Sequence, residues 1–283
     1  MIEILFDPIF RVPFLTGLCL AAALSLVGAF LRMRNEWLAA LGLSQMAAAG
    51  GMASAFLGVP VLVGAFGAAA LAMLVKAALP RVGNSHYALM ILLGWSGTLV
   101  LGSYMDHGQV IGETLLRGQL YFTHGGHLAG ALGLLVAVVG AFRWLSPRLL
   151  TARFFPDYHG ANRIPVWPYT ILFALFTMTA AVLGTISIGA FPAFAMLFVP
   201  SWIGFVLVDG WVRSVAASVV IGAVAYVLAY VLAILIDLPF GPVLTGLLVL
   251  AASLRFLTAI RRRNVELSGD DLHFQHLSPP RAD

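Results

Sequence analysis

Nine stretches of this chain contain no Asp, Glu, Lys or Arg: residues 13–31, 37–57, 59–75, 87–105, 120–142, 165–190, 191–208, 214–236 and 238–254. An α-helix rises 1.5 Å per residue, so about 20 apolar residues cross the roughly 30 Å of a bilayer's hydrocarbon core. Most of the nine stretches reach that length. None alternates polar and apolar with period two, so a membrane β-barrel is excluded. The expected architecture is an all-α, polytopic transmembrane bundle of about nine spans, or eight if the 191–208 segment only re-enters the membrane. Composition agrees: 10% of the 283 residues are charged and 61% are apolar, against about 25% charged in a soluble domain. That balance excludes a soluble enzyme, a nucleic-acid binder and a disordered protein. Cys19 stands alone, so there is no disulfide framework.

Arginine and lysine set the sidedness. Arg32 and Arg34 follow the first run, and Lys76 and Arg81 the third. Arg143, Arg148, Arg153 and Arg163 follow the fifth, Arg213 the seventh, and Arg255 and Arg261 to Arg263 the ninth. Every second connection is basic. The positive-inside rule then places the N-terminus outside and the C-terminus inside. Residues 1–263 form the membrane domain. The polar end, 264–283, is read as a disordered cytoplasmic tail.

Residues 164–208 hold no acidic residue and no basic one, too long a run for one helix. It must fold back, and Gly184, Gly189, Pro192 and Pro200 are the candidate break points. Two small-residue faces, Ala47 to Ala53 and Gly64 to Ala70, suit close helix packing in lipid, where no hydrophobic force drives helices together.

Few polar groups lie where chemistry would need them. Ser44, Gln45 and Met46 sit mid-span. An intramembrane amide either bonds a neighbouring helix or lines a path. His124 and His127, three residues apart at the outer edge of the fifth run, would share a helix face and offer two imidazoles to a metal. Asp106 and His107, at the outer end of the fourth run, would complete such a site. The bland alternative is exposed loop histidines. Met105, Met178 and Met196 suit soft metal or simple gap-filling. His86, His159, His273 and His276 fall on inner connections or the tail. No Gly-x-x-x-x-Gly-Lys-Ser/Thr phosphate loop is present, and no span carries the buried Asp, Glu or Lys of an ion-coupled carrier.

Several segments together are similar to the metal-ion permease subunits of ABC transporters, the zinc and manganese uptake class. One is Leu43-Ser44-Gln45-Met46-Ala47-Ala48-Ala49-Gly50 in the second span. Another is Arg148-Leu149-Leu150 followed by Phe155-Pro156-Asp157-Tyr158-His159-Gly160-Ala161. A third is the glycine-to-proline stretch from Ile188 to Ser201, and Leu238-Pro239-Phe240-Gly241-Pro242 before the last span also fits. The resemblance runs over about residues 13 to 260 and rests on order and spacing. It implies a bacterial inner-membrane permease without catalytic residues or a bound cofactor. It also implies a second permease copy in a homodimer, a separate ATPase inside and a metal-binding protein outside, with no nucleic acid. The 155–163 segment, with Asp157, His159, Ala161 and Arg163, would be the helix that couples to the ATPase. Ser44, Gln45 and Met46 would lie on the translocation path, with Gln45 facing a cavity between two copies.

The chain departs from that pattern at one place. The family's second span carries an aspartate and, four residues on, a histidine. Leu41 and Gln45 stand there in this chain. Leucine cannot ligate, and an amide is a weak neutral donor. With this departure the resemblance implies either a divalent metal of the zinc or manganese class, passed loosely by other groups, or another cargo such as a metal chelate. Two other classes remain open on residues alone: a membrane metalloenzyme built on the outer histidines, and a non-catalytic scaffold.

Overall fold

The computed structural model describes residues 8–78 and 84–253. The regular elements among them are helices: α1 (Pro8–Arg34), α2 (Trp37–Phe56), α3 (Val61–Ala78), α4 (Asn84–Ser103), α5 (Gly108–Arg117), α6 (Gly125–Phe154), α7 (Pro156–Ala161), α8 (Trp167–Ile188), α9 (Ala190–Leu207) and α10 (Trp211–Leu235). A further apolar helix, α11, runs over Phe240–Ser253. The boundary at 263, the tail, His273 and His276 lie outside the described residues.

Seven helices are long and apolar enough to cross a membrane: α1, α3, α4, α6, α8, α9 and α10. The chain is thus a multi-pass helical membrane protein. α2 has the length, at 20 residues, but is diluted by Ala, Gly, Ser and Gln. It is also well enclosed, packed by α1, α3, α4, α5, α8 and α9. The outer helices show the reverse of a soluble protein. Leu71 on α3, Leu92 on α4, Val136 on α6 and Val220 on α10 face outward and exposed, as lipid-facing side chains do.

The long charge-free run folds back at Gly189. Its φ of +98° lies where side-chain-bearing residues rarely go. Its N–H reaches the carbonyls of Gly184 and Thr185 at 3.2 and 3.1 Å, closing α8. Of the other candidate break points, Gly184 stays inside α8, and Pro192 and Pro200 are accommodated in a continuous α9 of 18 residues. At about 27 Å, α9 has the length of a span rather than a short re-entrant turn.

Three turns use non-glycine residues in the left-handed region: Asn35, Arg163 and Asp237, at φ +56°, +52° and +51°. Each is followed by an N–H that reaches back five residues, Glu36 to Leu31, Ile164 to His159 and Leu238 to Ala233, at 3.1, 2.9 and 3.1 Å. This is the Schellman closure, which satisfies the last helix carbonyls.

The small-residue faces meet each other. A Cβ on Gly50 would collide with the Gly64 carbonyl, and one on Gly64 with the Gly50 carbonyl. α2 and α3 therefore approach backbone to backbone, the contact small residues permit in lipid.

Two segments differ from the sequence expectation. The connection at 106–119 is not a plain loop. It forms α5, whose Leu115 is buried against Ala48 and Met52 of α2, while Glu113 and Arg117 pair on its outer face at 3.4 Å. The fifth span does not start at 120 or end at 142. Leu120–Phe122 is a single 3-10 turn, and α6 continues for 30 residues to Phe154. Such a helix measures about 45 Å, so the turns with Arg143, Arg148 and Arg153 project beyond the hydrocarbon. Arg148 is held there by a 2.8 Å bond to the Trp144 carbonyl and lies over its ring.

Candidate functional site

The polar centre of the bundle lies on α2. Ser44 and Gln45 are 0% and 1% exposed. The Ser44 carbonyl accepts a bond from the Thr185 hydroxyl of α8 at 3.4 Å. α4 presses Gly94 against the Gln45 backbone, where a Cβ would lie 2.8 Å from that of Gln45. Met46 is half-buried against the core, and Leu41 is half-buried one turn away. The Ser44 hydroxyl and the Gln45 side-chain oxygen have no hydrogen-bond partner. A buried polar atom without a partner costs about 1–3 kcal/mol. The helix-to-helix bond that would make Gln45 a packing residue is therefore missing at its oxygen, which leaves an acceptor at the centre of the bundle. Within the single chain Gln45 is enclosed, with Gly94 of α4 against its backbone.

The outer histidines cap a helix. His124 is the N-cap of α6 and accepts the Gly126 N–H on Nδ1 at 3.2 Å. His127 Nδ1 receives the His124 N–H at 3.5 Å, and the ring centroids are 4.3 Å apart. This is a capping box in which imidazoles replace the usual hydroxyl and carboxylate. Gly125 and Gly126, poor helix formers, lie in its first turn. Asp106 and His107 are exposed in the turn before α5. Among the described residues no three His, Cys, Asp or Glu gather as a metal site, so the expected set of four is not assembled.

The short α7 carries the predicted coupling residues, and the structure sorts them. Asp157, Ala161 and Arg163 are exposed. His159 is buried, its ring 5.5 Å from Tyr169 on α8 and 5.7 Å from Tyr158. It anchors α7 to α8 and turns away from the exposed face. Sequence reading missed the aromatic surround: Phe154, Phe155, Tyr158 and Trp167 are 69%, 65%, 49% and 66% exposed. The available signal was four aromatic side chains in a basic connection beyond the hydrocarbon.

A second missed cluster lies where α1 turns into α2. Glu36 accepts from Arg34 at 3.2 Å, Lys76 at 2.8 Å and the Tyr87 hydroxyl at 3.1 Å. Burial works against the charged carboxylate. Arg34, then the Lys76 and Tyr87 bonds, outweigh it and hold the Glu36 carboxyl below its usual range. Arg34 and Lys76, read from sequence only as topology markers, thus meet at one end of the bundle.

A model of the ABC 3 transport family matches residues 6–261. The chain belongs to the ABC 3 transport family. It is accordingly the permease, a transport subunit, of an ABC transporter. No curated protein matches the chain. Among solved structures, this ABC 3 permease is similar to PsaBC from Streptococcus pneumoniae in complex with Fab. The TM-score is 0.76 at 18% identity, over 88% of this chain and 91% of that one. It is also similar to an inward-facing ABC transporter assigned to the metal-chelate type, with TM-score 0.64 at 19% identity, over 90% of each chain. At these identities the likeness is one of fold.

Proposed function

We propose that this permease passes a divalent metal cargo, of the zinc or manganese class, through a bacterial inner membrane as part of an importer. Two copies form the assembly, two ATPase subunits sit at the basic end, and a metal-binding protein delivers cargo at the other. The observation that carries the reading is the unpartnered Gln45 oxygen at the centre of the bundle, where the family resemblance places a metal-passing histidine. α7 supports the ATPase partner: it is short, lies beyond the spans, and is ringed by exposed aromatics. Such anchors dominate docking surfaces.

The neighbourhood of Gln45 limits the cargo's form. A bare divalent ion loses its hydration on entering low dielectric, and one neutral amide returns little of that cost. Leu41 adds nothing. This favours a weak, passing interaction. It also supports a second reading, in which the cargo is a metal chelate that keeps its own ligands. The metalloenzyme alternative needs three or more ligands at one point, and none gather among the described residues. Uptake of zinc, manganese and a chelated metal into cells with and without the permease tests the proposal. Uptake of none of them would overturn it.

A further inference from the structure

A groove of about 380 Å³ opens on the flank of the bundle between α3 and α8. Its walls are Ala70 and Leu74 on one side and Ile171, Ala174 and Leu175 on the other. Leu74, Ile171 and Leu175 are 67%, 50% and 48% exposed. Both helices are long and apolar enough to cross a membrane, which sets these exposed apolar walls toward hydrocarbon. The groove ends at the Arg34, Glu36 and Lys76 cluster. One carboxylate between two cations leaves a surplus of one positive charge. The cations are fixed at the mouth, Arg34 at 4.8 Å over Phe173 and Lys76 at 4.7 Å over Tyr87. Their side chains remain 27% and 26% exposed. Each gives Glu36 one bond, and each carries further N–H donors.

We propose that this groove binds an anionic phospholipid of the cytoplasmic leaflet. An acyl chain lies between α3 and α8, and the headgroup phosphate sits on Arg34 and Lys76. The apolar walls suit an acyl chain, and the surplus positive charge at their basic end suits a phosphate. A second copy is the poorer occupant. A two-fold contact is made by the same patch on both copies, and the carboxylate that lines this one, Glu36, is already shared by Arg34 and Lys76. The site does not depend on which cargo is carried.

The test uses the purified permease complex in nanodiscs of equal phosphatidylglycerol and phosphatidylcholine. Lipid retained after release is counted by native mass spectrometry. Wild type should keep phosphatidylglycerol over phosphatidylcholine by about fivefold, the preference expected of one surplus charge. Lys76→Gln should bring the ratio near one. Ala174→Trp fills the groove without touching the charges and should lower retention of both lipids. Leu74→Trp, on an exposed wall, gives the same readout where Ala174→Trp does not assemble. Equal retention of the two lipids by wild type would overturn the proposal, as would unchanged retention in the groove-filling variant. A Leu74→Cys variant on a Cys19→Ser background that cross-links copy to copy would overturn it in favour of a permease interface.

Discussion

The Lys76 ammonium stands 2.8 Å from the Glu36 carboxylate. One residue ends α3 and the other precedes α2, so this contact ties the basic ends of separate spans. It places Arg34 and Lys76 at one end of the bundle, as alternating basic connections require.

Glu36 should make stability depend on pH. Its carboxyl is held below the ordinary range. Its contribution is therefore complete above that range, about pH 4.3, and is lost as pH falls through the depressed value. Glu36→Gln should cost about 1.5–3 kcal/mol at neutral pH, the scale of hydrogen bonds to a charged group. Thermal unfolding in detergent should show wild type and variant converging as the pH is lowered past 4. A gap that stays constant with pH would assign the loss to packing alone.

Gln45→Ala should reduce metal uptake modestly, since a single neutral acceptor is removed and Ser44 remains. Gln45→Glu should slow cargo release, because a carboxylate is a far better metal ligand. Uptake rates for both variants beside wild type decide. Complete loss in a folded, assembled alanine variant would make Gln45 an essential ligand.

The exposed face of α7 should carry coupling. Asp157→Lys and Tyr158→Ala should weaken the link between ATP hydrolysis and transport while leaving the spans folded. His159→Ala should instead destabilise the permease, since its ring packs inside against Tyr169. ATPase activity and uptake measured on one preparation separate the two effects. Full coupling in both exposed-face variants would remove α7 from the interface. A cysteine at 157 should resist labelling by impermeant reagents from outside.

Gly64→Val should abolish assembly. A Cβ there meets the Gly50 carbonyl and the Ser54 side chain at 2.6 Å, and the first of these is backbone that cannot rotate away. Gly67 is the control, because nothing lies within 4 Å of its Cβ position. Gly67→Ala should fold with wild-type yield in a solubilised-protein assay.

Seven of the nine charge-free runs became span-length apolar helices, because charge is expensive in hydrocarbon and its absence over 17 or more residues has few other causes; the run at 37–57 forms a helix of lower hydropathy, and the run at 238–254 a shorter one among the described residues. Gly189 was legible as one of four break points. Choosing it required backbone geometry, because Pro192 falls in the first turn of α9, where a missing N–H is harmless. α5 was not legible. It is short, and its apolar side is defined by Ala48 and Met52 on a distant helix. The Glu36 cluster joins residues 40 and 51 positions apart, a pairing no local pattern encodes. The histidine pair was visible as a pair. Its capping role depends on which ring nitrogen faces which amide.

Gly189 has a consequence for sequence space. Its φ of +98° strains any other residue, and a Cβ there would lie 2.5 Å from the Arg117 carbonyl carbon and 2.6 Å from the Gly118 nitrogen. Conformation and crowding thus exclude the same nineteen alternatives independently. Opening space around 117 and 118 would not license a substitution, and neither would relaxing the turn alone. A library randomised at 189 and selected for transport should return a single amino acid. Escape would require changes in two helices at once, which makes this hairpin an isolated peak that single substitutions cannot leave.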